Sequence, residues 1–221
     1  MELIGRGRDA DVFALDGSRV LRRYRHGGPA REEARLMAYL AARGCPVPRV
    51  HEVTDSDMVM DRLTGPTMAQ DLGRRPWLAH AHGRTLGRLQ AALHHVAAPD
   101  WLPRRFPAGG DGDDRVLHLD LHPENVVLTP GGPVVIDWRT AAAGDPAADA
   151  ALTVAVLRGV VLGRTQRAGV RVLLRGFLKE CAVDPAPRLA EAVAARLSDP
   201  NLRPEEAERL RRLSPRTPGG N

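Results

Sequence analysis

The 221 residues, 43% of them hydrophobic, suffice for one compact domain or two joined lobes around a sizeable core. No apolar run reaches the ~18 residues of a membrane helix, and the charged opening around Glu2 and Gly5 is not a signal peptide, so no membrane partner and a cytoplasmic location are expected. The net charge of +5 does not by itself call for nucleic acid, because arginines are interleaved with acids and aromatics are only 4%. Lys179 is the single lysine, and the Arg- and Ala-rich composition reads as the codon bias of a GC-rich, bacterial genome. Cys45 and Cys181 supply neither a disulfide framework nor a metal-ligand spacing and read as small core residues in a reducing compartment.

In chain order, alternation predicts strands over 2–5, 10–15 and 19–24, the last two joined by a hairpin turn at Asp16-Gly17. His26-Gly27-Gly28-Pro29 breaks the sheet. A helix is expected over 30–43, with Leu36, Met37 and Leu40 on its apolar face and Gly44 as its stop. Strands over 49–53 and 58–62 follow, turning at Asp55-Ser56-Asp57. Gly65-Pro66 marks a break between two lobes. Helical spacing then covers 77–96, with Leu86, Leu89 and Leu93 in one stripe. A Gly-, Pro- and Asp-rich loop is expected over 103–114, and a small hairpin over 126–128 and 134–136. Helices over 147–162, 170–181, 188–197 and 204–213 complete the chain, with a disordered tail over 214–221. The expected class is α+β: an N-lobe over 1–63 of antiparallel sheet plus one helix, and a mainly helical C-lobe over 64–213.

The chemistry concentrates in His118-Leu119-Asp120-Leu121-His122-Pro123-Glu124-Asn125, followed by Ile136-Asp137-Trp138. Asp120 and Asn125 are five apart on a loop that Pro123 is expected to keep from becoming helix. Such a loop aims a carboxylate at a reacting hydroxyl while an amide oxygen faces a cation. Asp137 follows an apolar strand and so sits on a rigid support. A carboxylate, an amide oxygen and phosphate oxygens are the donor set that Mg²⁺ favours.

This pattern resembles the H-x-D-x-x-x-x-N catalytic loop of the protein-kinase-like superfamily, with Ile136-Asp137-Trp138 in the place of D-F-G. His122, where protein kinases carry Lys, and the later Gly144-Asp145-Pro146-Ala147-Ala148-Asp149 resemble the aminoglycoside phosphotransferase branch. The resemblance covers about residues 1–165. It implies a two-lobed kinase-like fold and transfer of the γ-phosphate of ATP to a hydroxyl of a small molecule, antibiotic-like or a metabolite. It implies Asp120 as catalytic base, Asn125 and Asp137 as Mg²⁺ ligands, and His118 as a brace of the loop. Asp149 and Asp145 would begin and anchor the next helix.

In the N-terminal half, Gly5 and Gly7 at the first strand turn match the nucleotide-covering loop, with Ala10 replacing its third glycine. A P-loop is excluded, since no G-x-x-x-x-G-K-[ST] occurs. The third strand departs from the family: Arg22 stands where a lysine grips the phosphates, and its planar fork is not equivalent to an ammonium. Glu33 is its expected helix partner, with Glu32 as fallback. Met60 and Leu63 are expected at the adenine, as is Ile136. From Ala151 onward thirteen basic residues face seven acidic ones, so the expected acceptor is neutral or mildly anionic, and not a polycation. Two other readings stand beside this one: an inactive nucleotide-binding relative, suggested by Arg22, and an atypical protein kinase or tRNA-modification partner.

Overall fold

The computed structural model describes residues 1–7, 9–109, 113–200 and 202–212. The tail expected over 214–221, the last residue of the expected helix at Leu213, Arg8, and Asp111 and Gly112 of the acidic loop lie outside the described residues. Contacts divide the chain into two compact units, Met1–Ala69 with Glu124–Thr140, and Gln70–Pro123 with the residues from Ala141 onward.

The first unit is built on a five-stranded antiparallel sheet. Its strands are β1 (Glu2–Arg6), β2 (Ala10–Ala14), β3 (Arg19–Tyr24), β4 (Val50–Val53) and β5 (Asp57–Asp61), in the order β1-β2-β3-β5-β4. As the central strand, β3 buries Val20, Leu21 and Tyr24. The period of two puts Val20, Arg22 and Tyr24 on one face and leaves Arg23 on the other, where it pairs with Asp57. Helix α1 (Ala30–Ala41) starts after Pro29 and buries Ala30, Glu33, Ala34, Leu36, Met37 and Leu40. Gly44, with φ +77°, ends it as expected.

A hairpin of β7 (Val126–Thr129) and β8 (Gly132–Val135) also belongs to this unit. The Leu128 N–H donates to Pro66 O at 2.9 Å, and the Val135 N–H to Pro46 O at 2.8 Å. The sequence division at residue 63 is continuous, whereas this unit takes a segment from the middle of the chain. Two loop prolines, which read only as breaks, supply the carbonyls that hold it.

The second unit contains helices α2 (Met68–Arg74, which straddles the boundary), α3 (Ala79–Leu93), α4 (Pro146–Gly159), α5 (Arg164–Glu180), α6 (Leu189–Leu197) and α7 (Pro204–Arg211). Its two short strands, β6 (Arg115–Leu117) and β9 (Ala142–Gly144), pair antiparallel. Leu117, Leu119, Ala142, Ala151, Leu152 and Ala192 form one core cluster. Helix α4 is buried nearly all round, as its apolar composition dictates. Helices α3 and α5 approach closely because Gly83 and Gly176 leave room: a Cβ on Gly83 would lie 2.0 Å from Leu173 O, and one on Gly176 2.3 Å from His80 O.

Several elements differ from expectation. The helix expected from Trp77 begins at Ala79, after a 3-10 turn over Pro76–Leu78 that leaves Trp77 73% exposed. Helix α5 starts six residues earlier than expected, where Gln166 Oε1 accepts from the Gly163 N–H at 3.1 Å. Pro123 does not exclude helix; it opens a 3-10 turn over Pro123–Asn125, a first-turn position that proline tolerates. Helix α2, β6 and β9 escape sequence reading because so few residues establish no period. Cys45 and Cys181 are free thiols, half-buried and not in the core.

Candidate active site

In the first unit, the sequence-predicted Arg22, Glu33 and Asp137 form one cluster. Arg22 Nη1 donates to Glu33 Oε1 at 3.0 Å, and Nη2 donates to Asp137 Oδ1 at 2.7 Å. Glu33, not the fallback Glu32, is the buried acid, 3% exposed against a solvent-facing Glu32. Glu33 Oε1 also accepts from the Trp138 N–H at 3.1 Å, and Oε2 accepts from the Tyr24 hydroxyl. Burial pushes the Glu33 carboxyl upward, while Arg22 and the Tyr24 hydrogen bond oppose this. Burial likewise disfavours the Arg22 charge, yet Glu33 and then Asp137 outweigh it and leave the guanidinium above its ordinary range. The net direction for Glu33 is upward, and three donors converge on its two oxygens, a shell that fits a carboxylate.

Asp137 itself has φ +66°, a left-handed conformation that costs a non-glycine residue of order 1 kcal/mol or more. The Trp138 N–H bond to Glu33 and the Arg22 bond to Asp137 hold this turn from both sides. Asn125 is buried, and its carbonyl accepts from the Ile136 N–H at 3.0 Å, closing the base of the β7–β8 hairpin. The hairpin thus ties Asn125 to Ile136 and, through the chain, to Asp137.

In the second unit, Asp149 organises the backbone at His118 and Leu119. It is fully buried, and its Oδ1 accepts from the Leu119 N–H at 2.7 Å while Oδ2 accepts from the His118 N–H at 3.2 Å. His94 Nε2 bonds Oδ2 at 2.9 Å. Burial raises the Asp149 carboxyl, but the His94 bond, the His94 and His118 charges and the Leu119 N–H hold it below the ordinary aspartate range. Leu119 carries φ +64°, so the clamp again lies on a left-handed non-glycine residue. The Asp120 N–H donates to His118 Nδ1 at 3.3 Å. The Asp120 carboxylate lies 3.7 Å from His122 Nε2, an electrostatic contact beyond hydrogen-bond length. Burial raises Asp120, yet His122, His118 and Arg196 hold it below its ordinary range.

The remaining predicted residues are placed as follows. Gly5 lies within β1 opposite Val12, beside a bulge, and the Gly7 N–H donates to Ala10 O at 2.9 Å. That amide closes the β1–β2 turn. Met60 pairs in register with Val20 and Val50, and both Met60 and Leu63 are half-buried, as is Ile136. For a cation, Asn125 and Asp137 offer one amide and one carboxylate oxygen set, and no group of three or more His, Cys, Asp or Glu occurs among the described residues. Such a pair fits Mg²⁺, which takes most of its ligands from phosphates and water.

The family model for the phosphotransferase enzyme family matches residues 1–105 and 97–180. The chain belongs to the phosphotransferase enzyme family. Among solved structures, this chain resembles aminoglycoside phosphotransferase APH(4)-Ia, with a TM-score of 0.64, 18% identity and coverage of 94% of this chain and 89% of that one. It also resembles the macrolide 2'-phosphotransferase MphH from Brachybacterium faecium, with a TM-score of 0.57, 23% identity and coverage of 95% and 90%. These likenesses establish the α+β, kinase-like fold. A probable bifunctional tRNA threonylcarbamoyladenosine biosynthesis protein of Methanospirillum hungatei is 33% identical over 99 residues. That match covers 39% of this chain and 19% of the archaeal protein, so the phosphotransferase spans only a small part of that relative.

Three features of the phosphotransferase escape sequence reasoning. Tyr24 is two residues from Arg22 on β3, and that same-face spacing is the available signal for its bond to Glu33. His94 sits four residues after Gln90 in an apolar helix stripe, a polar pair that points inward; Gln90 Nε2 bonds Thr153 Oγ1 at 3.0 Å. Asp145 begins α4 as expected, accepting from the Ala147 N–H at 2.8 Å. Asp149, by contrast, anchors the loop over His118 and Leu119 and not the helix alone.

Proposed function

We propose that this phosphotransferase is a small-molecule kinase that uses ATP and Mg²⁺. The observation that carries this reading is the Arg22–Glu33–Asp137 cluster. A strand cation is held by a buried helix acid and touches the carboxylate that follows the catalytic hairpin. In this reading Arg22 contacts the phosphates, and Asn125 and Asp137 hold the metal, which when bound neutralises charge on the transferred phosphoryl group. The β1–β2 turn with Gly5 and Gly7 covers the nucleotide, while Met60, Leu63 and Ile136 meet the adenine. Asp120, kept ionised by His122 and His118, orients the acceptor hydroxyl and takes its proton. The acceptor oxygen bonds to the γ-phosphorus as the bond to the β-phosphate oxygen breaks, leaving ADP. His118 braces the loop through the Asp120 N–H. In this reading residues 1–63 with the segment 124–140 serve the nucleotide and its metal, and the rest of the C-lobe over 64–213 serves the acceptor.

The thirteen basic and seven acidic residues from Ala151 onward favour a neutral or mildly anionic acceptor. ATP and the reducing pool that suits two free thiols make the cytoplasm its compartment; among the described residues no helix is long and apolar enough to cross a membrane. Calorimetry of ATP with and without Mg²⁺ tests the reading. Mg²⁺-dependent binding that disappears in Asp137→Ala is expected, followed by ADP release on addition of hydroxyl compounds that Asp120→Ala abolishes. Absence of ATP binding to the wild-type chain would sink it.

A second reading, nucleotide binding without turnover, is favoured by one contact. Arg22 Nη2 lies 2.7 Å from Asp137 Oδ1, where it competes with a cation for that oxygen. It predicts ATP binding with no Asp120-dependent ADP release.

A further inference from the structure

We propose that the outer face of α5 is a docking trough for an acidic amphipathic helix of a partner protein. A groove of about 550 Å³ runs between α5, the C-terminal end of α4 and α7. Arg158, Arg167, Arg171, Arg175 and Arg209 line it, and no acidic residue does. Arg209 and Arg167 hold backbone carbonyls, of Val160 at 2.5 Å and Leu162 at 2.9 Å. Among the described residues Arg158, Arg171 and Arg175 have no ion-pair partner, and all three are exposed.

On α5 the lining residues sort into two parallel rows. Arg167, Arg171 and Arg175 recur every fourth residue, and Val170, Leu174 and Leu178 do the same one step round the helix. The rows run from 167 to 178, about 16 Å of helix. An apolar row flanked by a cationic row of the same pitch complements a helix that carries a leucine row beside glutamates at four-residue intervals. Leu178 and Val160 are 43% and 38% exposed while Leu174, at 8%, lies at the floor, so the row is open to such a partner at its Leu178 end. The chain's own C-terminal residues do not supply the match, since Ser214 to Asn221 carry Arg216 and no acid. A nucleic acid fits less well, because the floor is aliphatic and offers no aromatic platform. A bilayer surface is flat, whereas the apolar side chains here lie in a concavity. Scattered arginines in the sequence thus become a row in the fold.

The test is fluorescence anisotropy of a labelled synthetic peptide of about twelve residues, matching the length of the rows, with a leucine row beside glutamates four apart. It is titrated with the full chain at physiological salt. Saturable binding is expected, weakened about tenfold or more by Arg171→Glu with Arg175→Glu, and weakened also by Leu178→Gln. These residues are exposed, and circular dichroism checks that the variants fold. Overturning results are no binding, equal binding of a peptide with the same residues scrambled, or insensitivity to Leu178→Gln, which would reduce the site to unspecific charge. Tighter binding to phosphatidylserine vesicles or to an RNA oligonucleotide, with the same arginine dependence, would overturn it too. The titration needs no turnover, so its outcome is independent of the proposed reaction.

Discussion

The two units solve the same problem with different chemistry. Each carries a functional loop with a left-handed non-glycine residue, Asp137 in one and Leu119 in the other, and each fixes it with a buried helix carboxylate bonded to loop N–H groups. Glu33 on α1 has a full cation for company, and that cation, Arg22, reaches on to Asp137. Asp149 on α4 is met by His94 and by backbone amides. The first clamp therefore shares a charge with Asp137, the residue proposed to meet the metal. The second holds the backbone at His118 and Leu119. One clamp works through a shared full charge and the other through amides and an imidazole, and that difference is the lesson of the pair.

The comparison breaks most visibly at Asp149. Asp149→Ala strands two buried N–H groups and His94, and it is expected to cost about 3–5 kcal/mol in urea unfolding at neutral pH. Because the Asp149 carboxyl is held below its ordinary range in the folded state, its contribution is full above the unfolded value of 3.8 and is lost as pH falls through the lower folded value. The stability gap between wild type and Asp149→Asn should accordingly narrow below about pH 4 and stay constant from there to neutrality; a gap that widens in acid would contradict the depressed carboxyl.

Next in size is Glu33→Gln, expected to cost about 2–3 kcal/mol by removing an acceptor charge from Arg22 while the Trp138 N–H keeps a partner. Calorimetry should show weakened Mg²⁺-dependent ATP binding in the same variant, and unchanged binding would separate Glu33 from the nucleotide. His94→Ala, at about 1–3 kcal/mol, should speed amide exchange at Leu119 and lower turnover without weakening ATP binding. A loss of ATP affinity instead would show that the positioning role is misassigned. Smallest in stability is Arg22→Lys, within about 1 kcal/mol. An ammonium keeps the Glu33 pair but cannot fork to Asp137, so Mg²⁺-dependent ATP binding should tighten a few-fold, and a weakening would mean that the fork itself serves the phosphates.

The amino-acid sequence by itself determined the elements with a clear period: β1 to β5 by alternation, and α1, α3 and α4 by apolar spacing closed with caps such as Gly44 and Asp145. It also singled out Asp120, Asn125, Asp137 and Glu33, because a motif of fixed spacing is local information. Tertiary structure alone decided how these residues are held. Arg22 meets Asp137 across 115 residues, His94 meets Asp149 across 55, and Leu119 meets Asp149 across 30. It also decided that Leu119 and Asp137 take up left-handed backbone, and that Leu157 of α4 and Arg209 of α7 join the four-residue-spaced arginine row of α5 in one groove. Periodicity encodes which neighbours two to four residues away share a face. Contacts across tens of residues depend on how whole elements pack, and no local spacing carries that.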